Sequence, residues 1–595
     1  MAERIQTGGP SIELRLAPPE RAAYEAAVRV AVDERWVERL ADRDPSLWSH
    51  DARVQAEIGD RLGWLDAPRH FADQTASLET FGDEARENGF TAAIVAGMGG
   101  SSLAPFVLRQ TFGTSPDWLD VRVLDSTDPA AVSAIVDDLD PLTSLFIVAT
   151  KSGTTTEPLA FQADAYARIE AALRQRHADR HTEPADFMAI VSDPGKSVES
   201  IPHQASIPSI FLNPPDIGGR YSALTYVGLL PGSLLGLDLD ELLGSAQLML
   251  AAATTREDPE ENGAVSLGLA IGTLARGGRD KLTLIADQEI AAFGMWLEQL
   301  IAESTGKSGV GIVPVDAEPL GTADTYGDDR VFVRIALSGS AGPAAGQEVG
   351  DADELIAELA ALGHPVIRIA LDDPMDVGGE FVRWEIATAI AGAVLGIDPF
   401  DQPNVEEAKR LTRDLLAHRQ GNDAAAARTP SLVRDGLALL PDKGLDTAQA
   451  TGTLAGELAR HLARRDPRSY IALQAFIAPS PARDAAFARI RTLLRNRTRN
   501  ATTFGYGPRF LHSTGQLHKG GAPIGLFLQL TADHPKDRPI PGWPYTFGEL
   551  IDAQAAGDFA ALEAHGLPVL RIHLGADPEA ALATLERALE TALGG

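Results

Sequence analysis

The sequence contains no cysteine and has far fewer basic than acidic residues. Among its 595 residues, 52 Lys and Arg stand against 83 Asp and Glu, which gives a formal net charge of −31. The absence of cysteine excludes disulfide bonds, thiolate metal sites and cysteine nucleophiles. A surface this acidic repels nucleic acids and anionic membranes, so we expect neither as a partner. A small anionic substrate is still compatible, because a few local Arg, Lys and backbone N–H groups outweigh a distant, screened field.

Long uninterrupted hydrophobic runs are also missing. The first residues, MAERIQTGGPSIELRL, contain no apolar core of the kind that a secretory signal needs. The most apolar long stretch, at 221–253, is interrupted by Pro231, Asp238 and Glu241, so it indicates a buried helix or loop and not a membrane span. With 44% hydrophobic and 23% charged residues, the composition is typical of a globular protein. We therefore expect a cytoplasmic enzyme.

The order of patterns along the chain predicts an α/β protein with several domains. From Thr91 onward, apolar runs such as TAAIVA and SLFIVA alternate with polar turns and helical stretches, which is typical of a doubly wound parallel sheet. Ligands should lie beyond the carboxyl ends of its strands. The predicted divisions are a helical N-terminal segment at 1–80, a first α/β domain at 81–260, a second at 261–417 and a C-terminal α/β segment at 418–595.

One internal repeat indicates a possible duplication. The stretch DADELIAELAALGHPVIRIALDD at 351–373 is similar to ELIDAQAAGDFAALEAHGLPVLRIHLGADP at 549–578, each being a helix that leads into a strand of Pro-Val-x-Arg-Ile. An aromatic-Gly turn lies upstream of each, TYGDD at 325–329 and FGYGPRF at 504–510. We interpret the C-terminal segment as a possible copy of the second domain, and chance similarity between two helix–strand units is the alternative.

A Ser/Thr-rich turn follows the apolar strand SLFIVA. It reads Thr150-Lys151-Ser152-Gly153-Thr154-Thr155-Thr156-Glu157. Hydroxyl donors, free N–H groups and the positive end of a helix dipole together suit a phosphate monoester. The simpler interpretation is an N-capped helix after a strand, because Ser and Thr favour such positions in any case.

A glycine-rich turn, GMGGSS at 97–102, follows the preceding strand. Its small residues let the backbone approach a ligand closely, and Ser101 can donate a hydrogen bond to that ligand. The glycine spacing is not G-x-G-x-x-G, and no acidic residue ends the second strand in the expected manner. Both features disfavour a dinucleotide-dependent enzyme.

Five segments, taken in order, resemble the signatures of phosphoglucose isomerases. They are GMGGSSLAP at 97–105, the Ser/Thr turn at 150–157, GGRYS at 218–222, ESTGK at 303–307 and IDPFDQPNVEEAK at 397–409. Any one of them could arise by chance, but the ordered set is specific. The resemblance implies two SIS-type doubly wound sugar-phosphate domains and, commonly, a homodimer. It also implies reversible isomerisation of glucose 6-phosphate and fructose 6-phosphate in glycolysis and gluconeogenesis.

The resemblance further assigns roles to individual residues. The residues that would bind the substrate phosphate, or lie beside it, are Ser101, Thr150, Ser152, Thr155 and Gln402. Those that would act at the sugar are Glu303 as the base, Arg220 near the reacting carbons, and Lys409 at the ring oxygen or the C1 and C2 oxygens.

The chemistry of an aldose–ketose isomerase suits this set. The reaction moves a proton between C2 and C1 through a cis-enediolate, so one carboxylate on one face serves both carbons. A guanidinium is a suitable partner for the developing negative oxygen. Ring opening needs a separate acid, usually His or Lys, and no metal, flavin or nicotinamide is required. Each residue alone has a plainer explanation: Glu303 as a helix-surface residue, Arg220 as part of a salt bridge, and Lys409 as the i,i+3 partner of a preceding Glu.

The resemblance is incomplete at the ring-opening group. The family usually carries a G-x-x-Q-H segment between ESTGK and the Lys segment, yet residues 319–330 contain no His. In the C-terminal segment, HSTGQLHKGG at 512–521 has a similar G-Q-x-H order. We hypothesise that this segment supplies His518 to the active site, within the chain or across a dimer, and a polar surface loop is the alternative. This arrangement is similar to the isomerase half of bacterial transaldolase–isomerase fusions.

Two other functions stay open. A bifunctional glucose/mannose 6-phosphate isomerase would use the same base and would also accept the C2 epimer. A non-catalytic SIS-type sensor would bind a sugar phosphate and regulate a partner. The sensor needs the Ser/Thr turn but not Glu303, Arg220 and Lys409 together, so their co-occurrence argues against it.

Overall fold

Three sheets flanked by helices form the chain. The computed structural model describes residues 3–5, 11–177, 181–340, 342, 352–404, 410–416 and 429–594. Within these residues one sheet has five strands and two have six. Most strand pairs are parallel, which confirms the predicted α/β class. Among the described helices, none is both long and apolar enough to cross a membrane.

The strands, in chain order, are β1 Glu3–Ile5, β2 Ser11–Arg15, β3 Ala92–Ala96, β4 Asp120–Leu124, β5 Ser144–Ala149, β6 Met188–Ser192, β7 Ser209–Leu212, β8 Lys281–Ala286, β9 Val313–Val315, β10 Arg330–Leu337, β11 Val366–Leu371, β12 Leu432–Arg434, β13 Leu437–Pro441, β14 Tyr470–Phe476, β15 Ala501–Tyr506, β16 Gly525–Thr531 and β17 Val569–His573.

The α-helices are α1 Pro18–Asp33, α2 Trp36–Ala41, α3 Ala52–Gly59, α4 Ala67–Ala72, α5 Thr75–Glu87, α6 Leu103–Phe112, α7 Pro129–Val136, α8 Thr156–Gln175, α9 Lys196–Glu199, α10 Tyr226–Leu234, α11 Leu239–Thr255, α12 Gly263–Arg276, α13 Phe293–Thr305, α14 Ala352–Ala361, α15 Val377–Leu395, α16 410–416, α17 Leu454–Leu462, α18 Pro481–Thr498, α19 Gly515–Gly520, α20 Phe547–Ala564 and α21 Pro578–Ala592.

The five-stranded sheet defines the first unit, at 92–212. Its strands are all parallel, in the order β4-β3-β5-β6-β7. Every residue of β3 and β5 is buried, as expected for central parallel strands covered on both faces. Because β3 and β5 are neighbours, the glycine-rich turn and the Ser/Thr turn that follow them lie side by side at one edge of the sheet.

The two six-stranded sheets share one plan. Each has an antiparallel hairpin at one edge, followed by four parallel strands, and the orders are β1-β2-β11-β10-β8-β9 and β12-β13-β17-β16-β14-β15. The second unit comprises 263–395 with the hairpin β1–β2, and the third unit comprises 432–592. Strands β11 and β17, which carry the repeated Pro-Val-x-Arg-Ile, occupy equivalent places. This shared order supports a duplication.

Two details of this plan differ from the sequence pattern. The N-terminal segment is helical over α1 to α5, as predicted, but β2 precedes these helices and pairs with β11 of the second unit. The turn TYGDD precedes β10, whereas FGYGPRF lies at the end of β15, whose place corresponds to β9. Both turns thus lie in the connection between equivalent strands, at its end in the second unit and at its start in the third.

The third unit packs against both other units. An apolar cluster joins Val313 and Val315 of β9 to Ala501 of β15 and to Leu517. On the other side, Phe547 of α20 stacks on Phe161 of α8, with ring centroids 6.0 Å apart. The third unit therefore lies close to the helix that begins at the Ser/Thr turn.

Candidate active site

A cavity of about 540 Å³ lies where the three units meet, a size typical of small-molecule sites. Most of the site residues predicted from the sequence line it, namely Ser101, Thr150, Ser152, Thr155, Arg220, Glu303 and Gln402. Lys409 lies outside the described residues. His518 does not line the cavity.

The Ser/Thr turn forms one wall of the cavity. It turns at Gly153, whose φ is +66°, and a Cβ at this position would lie 1.8 Å from the carbonyl oxygen of Ser197. Only glycine fits this close approach of two backbones. Thr155 is the N-cap residue of α8, but its side chain makes no capping hydrogen bond. The first N–H groups of the helix therefore stay available to an anion.

The hydroxyls of this turn contact one another loosely. Thr150 Oγ1 and Ser152 Oγ each lie 3.3 Å from Thr155 Oγ1. The hydroxyl of Thr154 donates to Ser152 Oγ at 3.1 Å. These distances are long for hydroxyl hydrogen bonds, so the hydroxyls can turn toward a bound phosphate at small cost.

The guanidinium of Arg220 is held rigidly on the cavity wall. This side chain is 3% exposed, and it donates from Nε to Ser304 Oγ at 2.7 Å and from Nη1 to Gln402 Oε1 at 3.1 Å. Its Nη2 donates to two backbone carbonyls of the turn at 399–401, at 2.7 and 3.0 Å. Nη1 also lies 3.5 Å from Oε1 of Glu303. A fixed cation thus lies beside a buried carboxylate.

Glu303 is held from both sides on α13. Its Oε2 accepts from Gln299 Nε2 at 3.1 Å, while Oε1 faces Arg220. The same Gln299 Nε2 donates to the backbone carbonyl of His512 at 2.7 Å. Gln299 also lines the cavity and was not predicted from the sequence, although its i,i+4 spacing from Glu303 places both on one helix face.

The third unit contributes His512 to the cavity. His512 ends a 3₁₀ turn after β15, and its Nε2 lies 3.1 Å from Oε1 of Glu157. Glu157 is 5% exposed and belongs to the first turn of α8, directly after the Ser/Thr turn. A carboxylate at this distance orients the imidazole through its Nε2, so the pair is suited to proton transfer. Neither residue was predicted from the sequence.

His518 lies inside the third unit instead. Its Nδ1 is 3.2 Å from Gln474 Nε2, and its ring stacks on Tyr470 and meets the ring edge of Phe527. Burial, and secondarily the neighbouring Lys519, lowers the pKa of His518 well below its ordinary value. The hypothesis named the wrong histidine. The segment reaches the cavity through His512, whereas α19 places His518 in the core of the third unit.

The turn that bears Gln402 is fixed from behind. Lys307 Nζ donates to the carbonyl oxygen and to Oδ1 of Asp401, at 2.7 and 2.6 Å. Burial lowers the pKa of Lys307 to about 8, with the nearby Arg220 as a second cause. Gln516 of the third unit accepts from the backbone N–H of Asn404 at 2.9 Å and donates to its Oδ1 at 2.8 Å. The start of the segment that leads to Lys409 is therefore anchored by the third unit.

Similarity to known sequences supports this interpretation. The sequence model of the phosphoglucose isomerase family matches residues 25–323. The glucose-6-phosphate isomerase of Rubrobacter xylanophilus is 29% identical over 409 residues, covering 60% of this chain and 91% of that protein. The probable glucose-6-phosphate isomerase of Natronomonas pharaonis is 30% identical over 448 residues, covering 69% of this chain and 98% of that protein.

Solved structures agree on the fold. A glucose-6-phosphate isomerase from Chlamydia trachomatis superposes with a TM-score of 0.54 at 18% identity, covering 71% of this chain and 91% of that one. A hypothetical protein from Thermus thermophilus gives a TM-score of 0.53 at 23% identity, covering 68% of this chain and 100% of that one. From the family match and the sequence relatives together, the chain belongs to the phosphoglucose isomerase family.

Proposed function

We propose that this chain interconverts glucose 6-phosphate and fructose 6-phosphate, the activity that the names of its curated relatives carry. The observation that carries the proposal is the 3.5 Å contact between Arg220 Nη1 and Glu303 Oε1 in the cavity that the Ser/Thr turn also lines. A base, a fixed cation and a set of phosphate-binding groups then act on one small molecule.

The phosphate binds at the Ser/Thr turn in this mechanism. The hydroxyls of Thr150, Ser152 and Thr155 donate to its oxygens, and the N-terminus of α8 adds backbone N–H groups and its dipole. Ser101 and Gln402 line the same cavity. Binding the phosphate fixes the position of the carbon chain, which is what a two-carbon proton transfer needs.

His512 opens the pyranose ring. Ring opening breaks the C1–O5 bond, adds a proton at O5 and passes the proton of the O1 hydroxyl to solvent water. His512 makes the first transfer, because it lines the cavity and the carboxylate of Glu157 at 3.1 Å orients its imidazole. Lys409 keeps the role that the resemblance gives it, at the ring oxygen or the C1 and C2 oxygens.

Glu303 moves the proton between C2 and C1. It removes the proton from one carbon of the open-chain sugar and returns it to the other on the same face. The enediolate oxygen that becomes negative is stabilised by the fixed guanidinium of Arg220.

The homodimer implied by the resemblance stays a prediction, as does the cytoplasmic location. His512 reaches the cavity and Glu157 within the chain, so we propose that the site forms within one chain. Sedimentation of the purified chain at the concentration used for kinetics tests whether it is a dimer. Turnover by a monomeric species would show that one chain completes the site.

The experiment that tests the function is fructose 6-phosphate turnover by the wild type, Glu303→Gln and Glu298→Gln. Glu298 lies on the same helix but does not line the cavity, so it is a matched control. We expect rapid turnover by the wild type, a loss of about 10³-fold or more in Glu303→Gln, and a change below about threefold in Glu298→Gln. Sugar-phosphate binding without turnover by the wild type would favour the sensor instead, and parallel assays with mannose 6-phosphate test the bifunctional alternative.

A further inference from the structure

The amide of Gln554 connects the first and third units beside His512. Gln554 belongs to α20, is 4% exposed and lines the cavity. Its Nε2 donates to Glu157 Oε1 at 2.7 Å, and its Oε1 accepts from Thr127 Oγ1 at 2.6 Å. The oxygen of Glu157 that faces His512 is therefore also the oxygen that Gln554 holds.

The chemistry of these groups fixes the direction of each hydrogen bond. An ionised carboxylate only accepts, so the amide nitrogen of Gln554 must face Glu157 and the amide oxygen must face the hydroxyl of Thr127. His512 then bonds to the same carboxylate oxygen through a protonated Nε2. This leaves Nδ1 as the ring nitrogen available to a sugar oxygen.

We propose that Gln554 is a positioning residue for ring opening: together with the Thr127 hydroxyl, it holds Glu157 so that His512 can protonate the ring oxygen. The inference rests on the assignment of ring opening to His512. Thr127 is 0% exposed and Glu157 is 5% exposed, so water does not easily replace the lost partner when the amide is removed.

Other contacts join the two units independently of this amide. Arg509 of the third unit forms two hydrogen bonds to Asp125 of the first, at 2.5 and 2.8 Å. Arg538 does the same to Asp164, at 2.8 Å for both bonds. Removal of the Gln554 amide should therefore disturb Glu157 and His512 without detaching the third unit.

Anomer exchange isolates ring opening from isomerisation. Opening and reclosing the ring interconverts α- and β-glucose 6-phosphate and does not use the base, so it can be measured by NMR exchange in a Glu303→Gln background. We expect Gln554→Leu in that background to slow enzyme-catalysed exchange at least about tenfold. The glucose 6-phosphate concentration that gives half-maximal exchange should change less than about threefold. The control is Gln474→Leu, a buried amide of the same unit that contacts His518 and lies away from the cavity. It should leave exchange within about twofold of the background.

Two further variants guard against simple misfolding. Thr127→Val keeps the amide of Gln554 but removes the hydroxyl that orients it. We expect this variant to slow anomer exchange, but less than Gln554→Leu does. Gln554→Glu sets a second carboxylate against that of Glu157, where it repels and cannot donate, so we expect exchange to slow at least as much as in Gln554→Leu.

The outcomes separate this inference from the proposed function. If His512→Ala slows anomer exchange while Gln554→Leu leaves both its rate and its pH profile unchanged, the role of Gln554 is overturned and the proposed function stands. If His512→Ala also leaves exchange unchanged, the assignment of ring opening fails first. Loss of exchange together with a large rise in half-saturation would assign Gln554 to substrate binding and contradict the positioning role.

Discussion

Nε2 of His512 lies 3.1 Å from Oε1 of Glu157, so a residue of the third unit reaches the helix that begins at the Ser/Thr turn of the first. Glu303 comes from the second unit, and Gln299 on the same helix donates to the backbone of His512. The cavity is thus built from all three units of one chain.

Replacing His512 and His518 should have opposite effects. We expect His512→Ala to lower kcat for fructose 6-phosphate by about 10²-fold or more with little change in Tm, because it loses the ring-opening acid but few buried contacts. His518→Gln should lower Tm while leaving kcat of the folded fraction nearly unchanged, because His518 packs between Tyr470 and Phe527. Steady-state kinetics and thermal scans on the same preparations measure both. A loss of kcat confined to His518→Gln would reverse the assignment.

A mixture of two inactive variants tests whether the site forms within one chain. Glu303→Gln and His512→Ala should each be nearly inactive, and mixing them, with co-refolding to allow subunit exchange, should restore no activity. If His512 completed the cavity of a partner subunit, about a quarter of the activity would return, since random exchange makes about half of the dimers mixed and each mixed dimer would contain one intact site of two. Recovery on that scale would overturn the single-chain site.

Gly153→Ala should weaken substrate binding. A Cβ at this position would meet the Ser197 carbonyl, so the turn must shift and carry its hydroxyls with it. We expect KM for fructose 6-phosphate to rise about tenfold or more. Gly89→Ala is the control in the same part of the chain, since Gly89 has φ +83° but open space around its Cβ position. It should cost about 1 kcal/mol of stability and leave KM unchanged, and equal KM values for the two variants would contradict the close-approach argument.

His461 should make the third unit sensitive to acid. It is 0% exposed, its Nε2 bonds to the carbonyl of Phe527 at 3.0 Å, and burial lowers its pKa to about 4. The unfolded chain takes up a proton at His461 near pH 6.5 and the folded chain does not. The contribution of neutral His461 to the free energy of unfolding is therefore complete above that pH. As the pH falls from about 6.5 to about 4, the free energy of unfolding decreases by about 1.4 kcal/mol per pH unit.

The variant His461→Gln should lack this slope, since an amide also donates to the carbonyl but does not titrate. Urea unfolding at about pH 7 and about pH 5 measures the difference. The control His177→Gln, at an exposed position, should follow the wild type. Parallel slopes for all three proteins would show that His461 contributes nothing to acid sensitivity.

Local patterns predicted much of the first unit and of the cavity. The alternation of apolar strands and polar turns indicated the parallel sheet, and the ends of β3 and β5 placed Ser101 and Thr150 at one edge. The ordered motifs then named Arg220, Glu303 and Gln402, which the structure brings to the same cavity.

Long-range packing decided what the sequence left open. His512 and His518 belong to one short motif. His512 lines the cavity because the 3₁₀ turn ends there, and His518 is buried in the core because of the direction of α19. Glu157 resembles any acidic residue in the first turn of a helix, and its partner is 355 positions away. The pairing of β2 with β11 is equally distant, and its alternating pattern is too short to reveal a partner.

The most direct test of the account compares isomerisation and anomer exchange in Glu303→Gln and His512→Ala. In the proposed mechanism Glu303 transfers the proton between carbons and His512 opens the ring. We therefore expect both variants to lose isomerisation, while Glu303→Gln keeps anomer exchange of glucose 6-phosphate and His512→Ala loses it. Equal loss or equal retention of anomer exchange in the two variants would contradict this division of labour.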